Sequence, residues 1–501
     1  MWVERLVRHE RLSISSGRAM LSPIAVPVTA VERWLLALVC AVTLAFAIIT
    51  PPFQAPDENQ HYMKAQLLAD GRVMTEQRGA AIGAELPRSA LELHGIDFPT
   101  DVTGKARRFD RAMVERAWRA DAGRAGTAFA DFPNVANYAP TLYAPSAAGL
   151  RAGEALALPR MGSFYVGRLV NATAGLILLA VAFGLMPFGR GALLATALLP
   201  TFCYQTGSLS PDAVINGMGF VGLALSLRLA AMGSSPGRSA GLMITAPLLA
   251  LAKGVYLPLM AAGLQWPQHR RDRRPWLLLG AMALGAAAFI GWMKMSGGSQ
   301  ALYHIVSRKT GENVMTAPLG AQLAVILADP VAYVRTLASS IIERSPVYAL
   351  QLVGRFGWNA ILLPLGAYLL AAVMLGVAVL SGSGVRVGAG QRLWWLAVAG
   401  GTALLIETAM YLTGTPLGAD YVQGTQGRYF LPLLPLVLLA MMPEAGLRAA
   451  RGVFAGSAVL LLMIALASAY DSFWVHGFVT ADGMPPHGQL SDALILPSPR
   501  W

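Results

Sequence analysis

The run Val31–Thr50, VERWLLALVCAVTLAFAIIT, leads straight into Pro51-Pro-Phe-Gln-Ala-Pro56-Asp57-Glu58-Asn-Gln-His61-Tyr62. Its only charges, Glu32 and Arg33, sit at its start. A helix of about 20 such residues matches the roughly 30 Å hydrocarbon core of a bilayer. The run is longer than the apolar region of a signal peptide and ends in Pro51-Pro52 with no small-x-small cleavage site. It therefore reads as an uncleaved first transmembrane helix.

Working outward, further runs of spanning length occur near 163–187, 190–208, 212–232, 276–294, 358–380, 393–413, 429–443 and 452–473. The stretch 239–265 differs: Gly241–Ala252 and Gly254–Leu264 are two short apolar halves interrupted by Lys253. It reads as a hairpin of short or tilted helices, or as a re-entrant pair, and counting it as two gives eleven spans. The composition agrees, since 55% of the 501 residues are hydrophobic, only 13% are charged and the mean hydropathy is +0.52. Soluble chains carry about 25% charged residues. The expected fold class is an all-α polytopic membrane protein.

Arginine placement sets the expected orientation. Arg5, Arg8, Arg11 and Arg18 precede the first span, and Arg190, Arg228, Arg238, the run His269–Arg274, Arg386, Arg392, Arg448 and Arg451 fall in later short gaps. Eleven spans starting inside put all of these on the cytoplasmic side, as the positive-inside rule asks. The division that follows is a cytoplasmic tail at 1–30, a transmembrane domain at 31–474 and an external tail at 475–501. External loops cover 51–162 and 296–357, the first long and partly helical. Asp101 and His487 are then external and Arg271 cytoplasmic. Long loops are exempt from the charge rule, so Arg107, Arg108, Asp110, Arg111 and Glu115 raise no objection. Ala139–Leu158, interrupted by Pro140 and Pro145, is expected along the membrane surface rather than across it.

The formal charge of +12 does not form one patch, so nucleic-acid binding is set aside. Cys40 and Cys203 lie in separate apolar runs and support neither a disulfide framework nor a zinc site.

The chemistry concentrates where the first helix leaves the membrane. With a helix beginning after Pro56, His61 lies one turn past Asp57 and Tyr62 one turn past Glu58. A carboxylate there could take a proton from an acceptor hydroxyl, and the Asp57–Glu58 pair could hold a divalent cation such as Mg or Mn. The same spacing also makes Asp57 and Gln60 an acceptable capping box.

This segment resembles a family of bacterial predicted membrane proteins of unknown function that is grouped with the GT-C glycosyltransferases. The likeness continues through Tyr138-Ala-Pro-Thr-Leu-Tyr143, Gly167-Arg168-Leu-Val-Asn171, Leu199-Pro200, Ser208-Leu-Ser-Pro-Asp212, Lys253-Gly-Val-Tyr256, Gly354-Arg-Phe-Gly-Trp358 and Gln426-Gly-Arg428-Tyr429-Phe-Leu-Pro432, in matching order from about Thr50 to Pro435. The resemblance implies a GT-C-like bundle in the bacterial inner membrane. It also implies an inverting transferase using a polyprenyl-phospho-sugar donor and a glycan, lipid or protein acceptor on the outer face. Asp57 would be the base and Glu58 its assistant. His61, Tyr62, Tyr138, Tyr143, Arg168, Asn171, Asp212, Lys253, Tyr256, Arg428 and Tyr429 would line the substrate site.

Each of these residues also has a structural reading. Arg428 at the mouth of its span could clamp a phosphate or snorkel to headgroups. Arg168 could do the same or pair with a loop carboxylate. Lys253, an intramembrane cation, suits a donor phosphate or simply reaches an interface. Asp212 starts a helix, Glu407 suits a pairing with Arg or Lys inside the bundle, and Trp358, Trp394 and Trp395 suit interfacial anchoring. His304, Arg308 and Lys309 read as ordinary exposed residues. The competing functions are a transporter or flippase of lipid-linked glycans, and a non-catalytic partner in envelope glycan synthesis. Transporters favour paired broken helices, and the sequence shows one such break, at Lys253.

Overall fold

The computed structural model describes residues 12–13, 28–79, 81–95, 111–119, 126–264, 273–297, 319–447 and 450–475. The N-terminal arginines, Asp101, Arg107, Arg108, Asp110, residues 269–272 of the basic run, His304, Arg308, Lys309 and the tail beyond 475 lie outside them.

The architecture is helical, and among the described residues seven helices are long and apolar enough to cross a membrane. The first, α1 (Ala30–Ile49), begins at a capping box in which Thr29 accepts from the Glu32 backbone and Glu32 accepts from the Thr29 backbone. It stops before Pro51 and Pro52, which have no N–H to continue it. Next, α2 (Glu58–Ala69) opens the long loop. Strands β1 (Glu76–Arg78), β2 (Ala81–Pro87) and β3 (Thr127–Asp131) form an antiparallel sheet in the order β1-β2-β3, with Gly83 opposite Asp131. The sheet is a finding beyond the partly helical loop that the sequence leads one to expect. Short helices α3 (Arg88–Gly95) and α4 (Arg111–Arg119) complete this layer.

A turn at Pro140–Leu142 and α5 (Ala144–Ala155) occupy the stretch expected to lie along the surface. Helix α5 packs on α6 (Arg160–Leu185) through small residues. A Cβ on Gly149 would stand 2.7 Å from the Gly167 Cα, and one on Gly153 would stand 2.5 Å from the Ser163 Cα. This small-xxx-small contact brings the two backbones together and places Arg168 beside the start of α2.

The run 190–208 was expected as one span, and the structure corrects this. It forms α7 (Arg190–Ala197) and α8 (Pro200–Thr206), both buried, because Pro200 lacks an N–H and holds Leu199 extended at ψ 134°. Helix α9 (Asp212–Met232) is the most enclosed of the apolar helices. Helix α10 (Pro236–Lys253) runs into a 3-10 segment, Gly254–Gly263. By length and composition Pro236–Gly263 is one of the seven, yet the chain reverses within it. Lys253 is extended (φ −164°, ψ 101°). Leu249 of the first arm and Met260 of the second both border Gly222 of α9. Ala246 and Leu257 likewise both border Gly285 of α11 (Arg274–Met295). The two short halves form a hairpin with Lys253 at its tip.

The second loop contains an apolar pair absent from the expected spans: α12 (Leu319–Ala328) and α13 (Pro330–Val353), which meet at 104°. Arg335, Glu343 and Arg344 interrupt the apolar run in sequence and hid it. The expected span at 358–380 begins later, at α14 (Leu365–Leu380), because Arg355–Phe356 and Ile361–Leu362 pair as a small hairpin through Trp358 and Asn359, both at positive φ. Helix α15 (Ala389–Gly414), a 3-10 turn at Gly427–Leu433 running into α16 (Leu434–Met441), and α17 (Ala450–Tyr470) follow.

Arginines cap helix ends at one end of the bundle. Arg228 donates to the carbonyls of Gly184 and Leu185, Arg274 to that of Ala230 and Arg392 to that of Ala440. A cation at a helix C-terminus satisfies orphan carbonyls and the helix dipole together. Trp394 and Trp395, expected as interfacial anchors, donate their indole N–H to Ala261 and Ala262 and fasten the hairpin's end to α15.

Candidate functional site

The opposite end of the bundle is built around the exit of α1. After Pro51 and Pro52 the chain turns through Phe53 (φ 63°) and Asp57 (φ 60°). Asp tolerates this left-handed region, but a bulky Phe there costs on the order of 1–3 kcal/mol. The geometry is held by Arg168, which is fully buried. Its Nε and Nη2 bond the two oxygens of Glu58 at 2.8 and 2.6 Å, and its remaining N–H groups reach the carbonyls of Ala47, Thr50 and Pro51. All five guanidinium donors are thereby used. Glu58 also accepts from the Leu209 backbone at 2.9 Å, and Asn171 donates to the carbonyls of Ser208 and Ser210. One buried brace therefore fixes the turn ending in Asp57 and the turn ending in Asp212.

Between these two carboxylates lies Arg428. Gly427 lets it approach, since a Cβ there would stand 2.1 Å from the Tyr348 carbonyl oxygen. Arg428 Nη2 is 3.6 Å from Asp57 Oδ2, Nη1 is 3.5 Å from Asp212 Oδ2, and Nη1 donates to Gln205 Oε1 at 3.2 Å. Charge-assisted hydrogen bonds settle at about 2.7–2.9 Å, so the guanidinium is loosely paired with both carboxylates, while Gln205 and the Tyr429 ring at 5.4 Å keep it in place. Its Nε is buried with no hydrogen-bond partner among the described residues. Lys253 stands 3.7 Å over the Tyr429 ring, and Tyr256 donates its hydroxyl to the Tyr429 carbonyl. Of the three ion-paired side chains Asp57 is the most open, 26% exposed against 14% for Asp212 and 7% for Arg428.

His61 lies behind Asp57, stacked on Tyr138 and bonded through Nδ1 to the Tyr143 hydroxyl at 2.9 Å. Burial pushes its pKa down to about 3; Asp212 opposes the shift, and Arg428 and Lys253 reinforce it. His61 is therefore neutral at physiological pH. An unfolded histidine titrates near 6.5, so between about pH 6.5 and 3 the unfolded chain binds the extra proton. Stability is then fully present above 6.5 and lost as pH falls through that window. Replacing His61 with Asn is expected to flatten the decline of the unfolding temperature between pH 6.5 and 4.5. An unchanged slope would mean that His61 is not held neutral.

The structure brings together Asp57, His61, Tyr138, Tyr143, Asp212, Lys253, Tyr256, Arg428 and Tyr429. Four other expected residues are engaged within the protein. Arg168 has no free donor, Asn171 pins a turn, Tyr62 packs in an aromatic group with Phe53 and Phe164, and Glu58 is locked in the brace. The capping box at Asp57 is not formed either, since its side chain makes no cap hydrogen bond. Nor do Asp57 and Glu58 fit a divalent cation. The oxygens of Glu58 are taken, and the cation between Asp57 and Asp212 is a guanidinium. Among the described residues no group of three or more His, Cys, Asp or Glu could hold a metal. Glu407, expected to pair with Arg or Lys, accepts from the Thr425 hydroxyl at 2.9 Å. Gln205 was missed, although a lone amide inside the apolar run 190–208 was the available signal.

The family described as predicted membrane protein DUF2142 matches residues 40–437. The chain belongs to that family. The matched region of this DUF2142 chain contains the whole ion-pair cluster, the brace and the hairpin tip at Lys253. No curated protein and no solved structure matches the chain.

Proposed function

We propose that the chain is a membrane glycosyltransferase of GT-C-like architecture that takes a sugar from a polyprenyl-phosphate donor. The observation that carries the reading is Arg428, loosely paired with two carboxylates, with Lys253 beside it. In the resting site Arg428 neutralises Asp57 and Asp212. A donor phosphate offers oxyanions better matched to the guanidinium fork than a carboxylate at 3.6 Å. Phosphate binding then releases the Asp57 carboxylate to act as a base. The acceptor oxygen attacks the anomeric carbon in line, its proton passes to Asp57, and the bond from that carbon to the phosphate oxygen breaks with inversion. Polyprenyl phosphate leaves with its charge held by Arg428 and Lys253.

The same reading puts the cluster on the outer face of a bacterial inner membrane. Counting α7 with α8 as one crossing and each hairpin arm as one gives eleven crossings, with α12 and α13 in the outer leaflet. The arginine-capped end then faces the cytoplasm. Single cysteines at positions 101 and 487 are expected to label from outside intact cells, and one at 271 is expected to stay protected. Protection at 101 would overturn this orientation.

Donor recognition is tested with Arg428→Lys, which keeps the charge and loses the planar two-pronged contact. The dissociation constant for a polyprenyl-phospho-sugar is expected to rise about tenfold or more, which is ~1.4 kcal/mol. An unchanged constant would leave Arg428 without a phosphate role.

A carrier of lipid-linked glycans is the second reading, and one observation favours it. Two helix breaks, at Lys253 and at Gly427–Leu433, meet at the cluster, where the sequence had shown only the first. Discontinuous helices meeting at a charged site are a transporter trait. Movement of labelled lipid across proteoliposomes without sugar transfer would select it.

A further inference from the structure

A second site lies in the external layer, away from the ion-pair cluster. A cavity of about 270 Å³ is lined by Lys64 of α2, Met74, Thr75 and Glu76 around β1, and Trp292 and Ser296 at the end of α11. Lys64 is only 3% exposed. Its ammonium donates to the carbonyls of Ala136 at 3.0 Å and Val73 at 3.3 Å, which leaves the third N–H without an acceptor among the described residues. No carboxylate pairs with it there either. Glu76 faces the same cavity, but its carboxylate is bonded to Arg78 at 3.0 Å. A buried ammonium without a counter-ion is costly, and burial alone lowers the Lys64 pKa to about 8. Proteins pair buried charges, and here an open cavity stands where the partner would be.

We propose that this cavity binds one phosphate oxyanion, with Lys64 as its counter-ion and the apolar rim of Met74 and Trp292 against whatever carries it. The volume is below that of sites for drug-sized ligands, about 300–1,000 Å³, and suits a headgroup or a free ion. Trp292 also donates its indole N–H to the Asn137 carbonyl. That contact ties the cavity wall to the segment carrying Tyr138, so occupancy would steady one wall of the ion-pair cluster.

The site can be read through Lys64 itself. The chain has five lysines, Lys64, Lys105, Lys253, Lys294 and Lys309, and biosynthetic ¹³C-lysine labelling resolves them, with Lys64→Arg assigning the resonance. The full chain in a phosphate-free maltoside detergent is titrated with inorganic phosphate, then with phosphatidylglycerol added to the micelles. Occupancy is expected to shift the Lys64 resonance saturably and raise its titration midpoint by about one pH unit or more. A response to both probes identifies a free-anion site, and a response to phosphatidylglycerol alone identifies a lipid headgroup. A Lys64 resonance indifferent to both overturns the proposal. A Lys64 shift with the same phosphate midpoint in Arg428→Lys belongs to this cavity, whereas a shift that weakens in step with that variant reports the ion-pair cluster and overturns the proposal.

Discussion

Asp57→Asn is expected to abolish sugar transfer, lowering turnover by roughly 10²–10⁴-fold, while leaving insertion, folding and donor binding largely intact. The amide keeps the size of the side chain and Asn tolerates the left-handed backbone as well as Asp does, so the φ of 60° survives. What is lost is a base near neutral pH. The Asp57 side chain caps nothing, so a purely structural role would be that of counter-ion to Arg428, and it predicts a loss of stability with turnover per folded molecule kept. Turnover and thermal stability measured side by side separate the outcomes, and full activity in a well-folded Asp57→Asn protein would remove Asp57 as the base.

Glu58→Gln is expected to do the reverse: little specific chemistry and a large loss of stability. It strips the counter-charge from Arg168, whose side chain and that of Glu58 are both fully buried. Breaking a buried pair from one side costs about 3–5 kcal/mol, because the surviving charge is left uncompensated. The unfolding temperature in detergent should fall sharply. Replacing both partners together, as Glu58→Leu with Arg168→Met, should remove the uncompensated charge without restoring the wild-type temperature, because the carbonyls of Ala47, Thr50 and Pro51 and the Leu209 N–H lose their partners. A Glu58→Gln protein as stable as the wild type would mean that the brace does not hold the two turns.

Much of the fold was legible in the sequence. The starts and ends of α1, α9, α11 and α15 fell within a few residues of the apolar runs, because composition over a full span leaves little freedom. The hairpin at Lys253 was also legible, since a lone lysine between two half-length runs is hard to bury any other way. What escaped depends on neighbours distant in the chain. The break at Leu199 is written only in Pro200, and α13 buries only Leu337, Ser340 and Tyr348, leaving Arg335 and Glu343 exposed and Arg344 half-buried over the Tyr421 ring. The three-stranded sheet is held by β2 and β3, which are separated by some 40 residues.

The site was legible by residue type and not by role. Asp57, Asp212, Lys253 and Arg428 stand out as charges at the edges of apolar runs, and they converge. Arg168 and Glu58 stand out in the same way, and of the two readings of Arg168, ligand contact or a pair with a loop carboxylate, the structure shows the pair, with Glu58. Two carboxylates adjacent in sequence leave the first turn of α2 in different directions, and only the three-dimensional partners decide which of them stays open. Gln205 is a neutral amide, so neither charge nor periodicity marks it.

Sugar transfer is tested most directly by incubating purified protein with a panel of polyprenyl-phospho-sugars and measuring acceptor-dependent release of polyprenyl phosphate. The expected result is release with at least one donor, lost in Asp57→Asn and weakened through donor affinity in Arg428→Lys. Saturable donor binding with no release from any member of the panel, in the presence of acceptor glycans, lipids and proteins, would contradict transfer and leave carriage of the lipid as the function of the cluster.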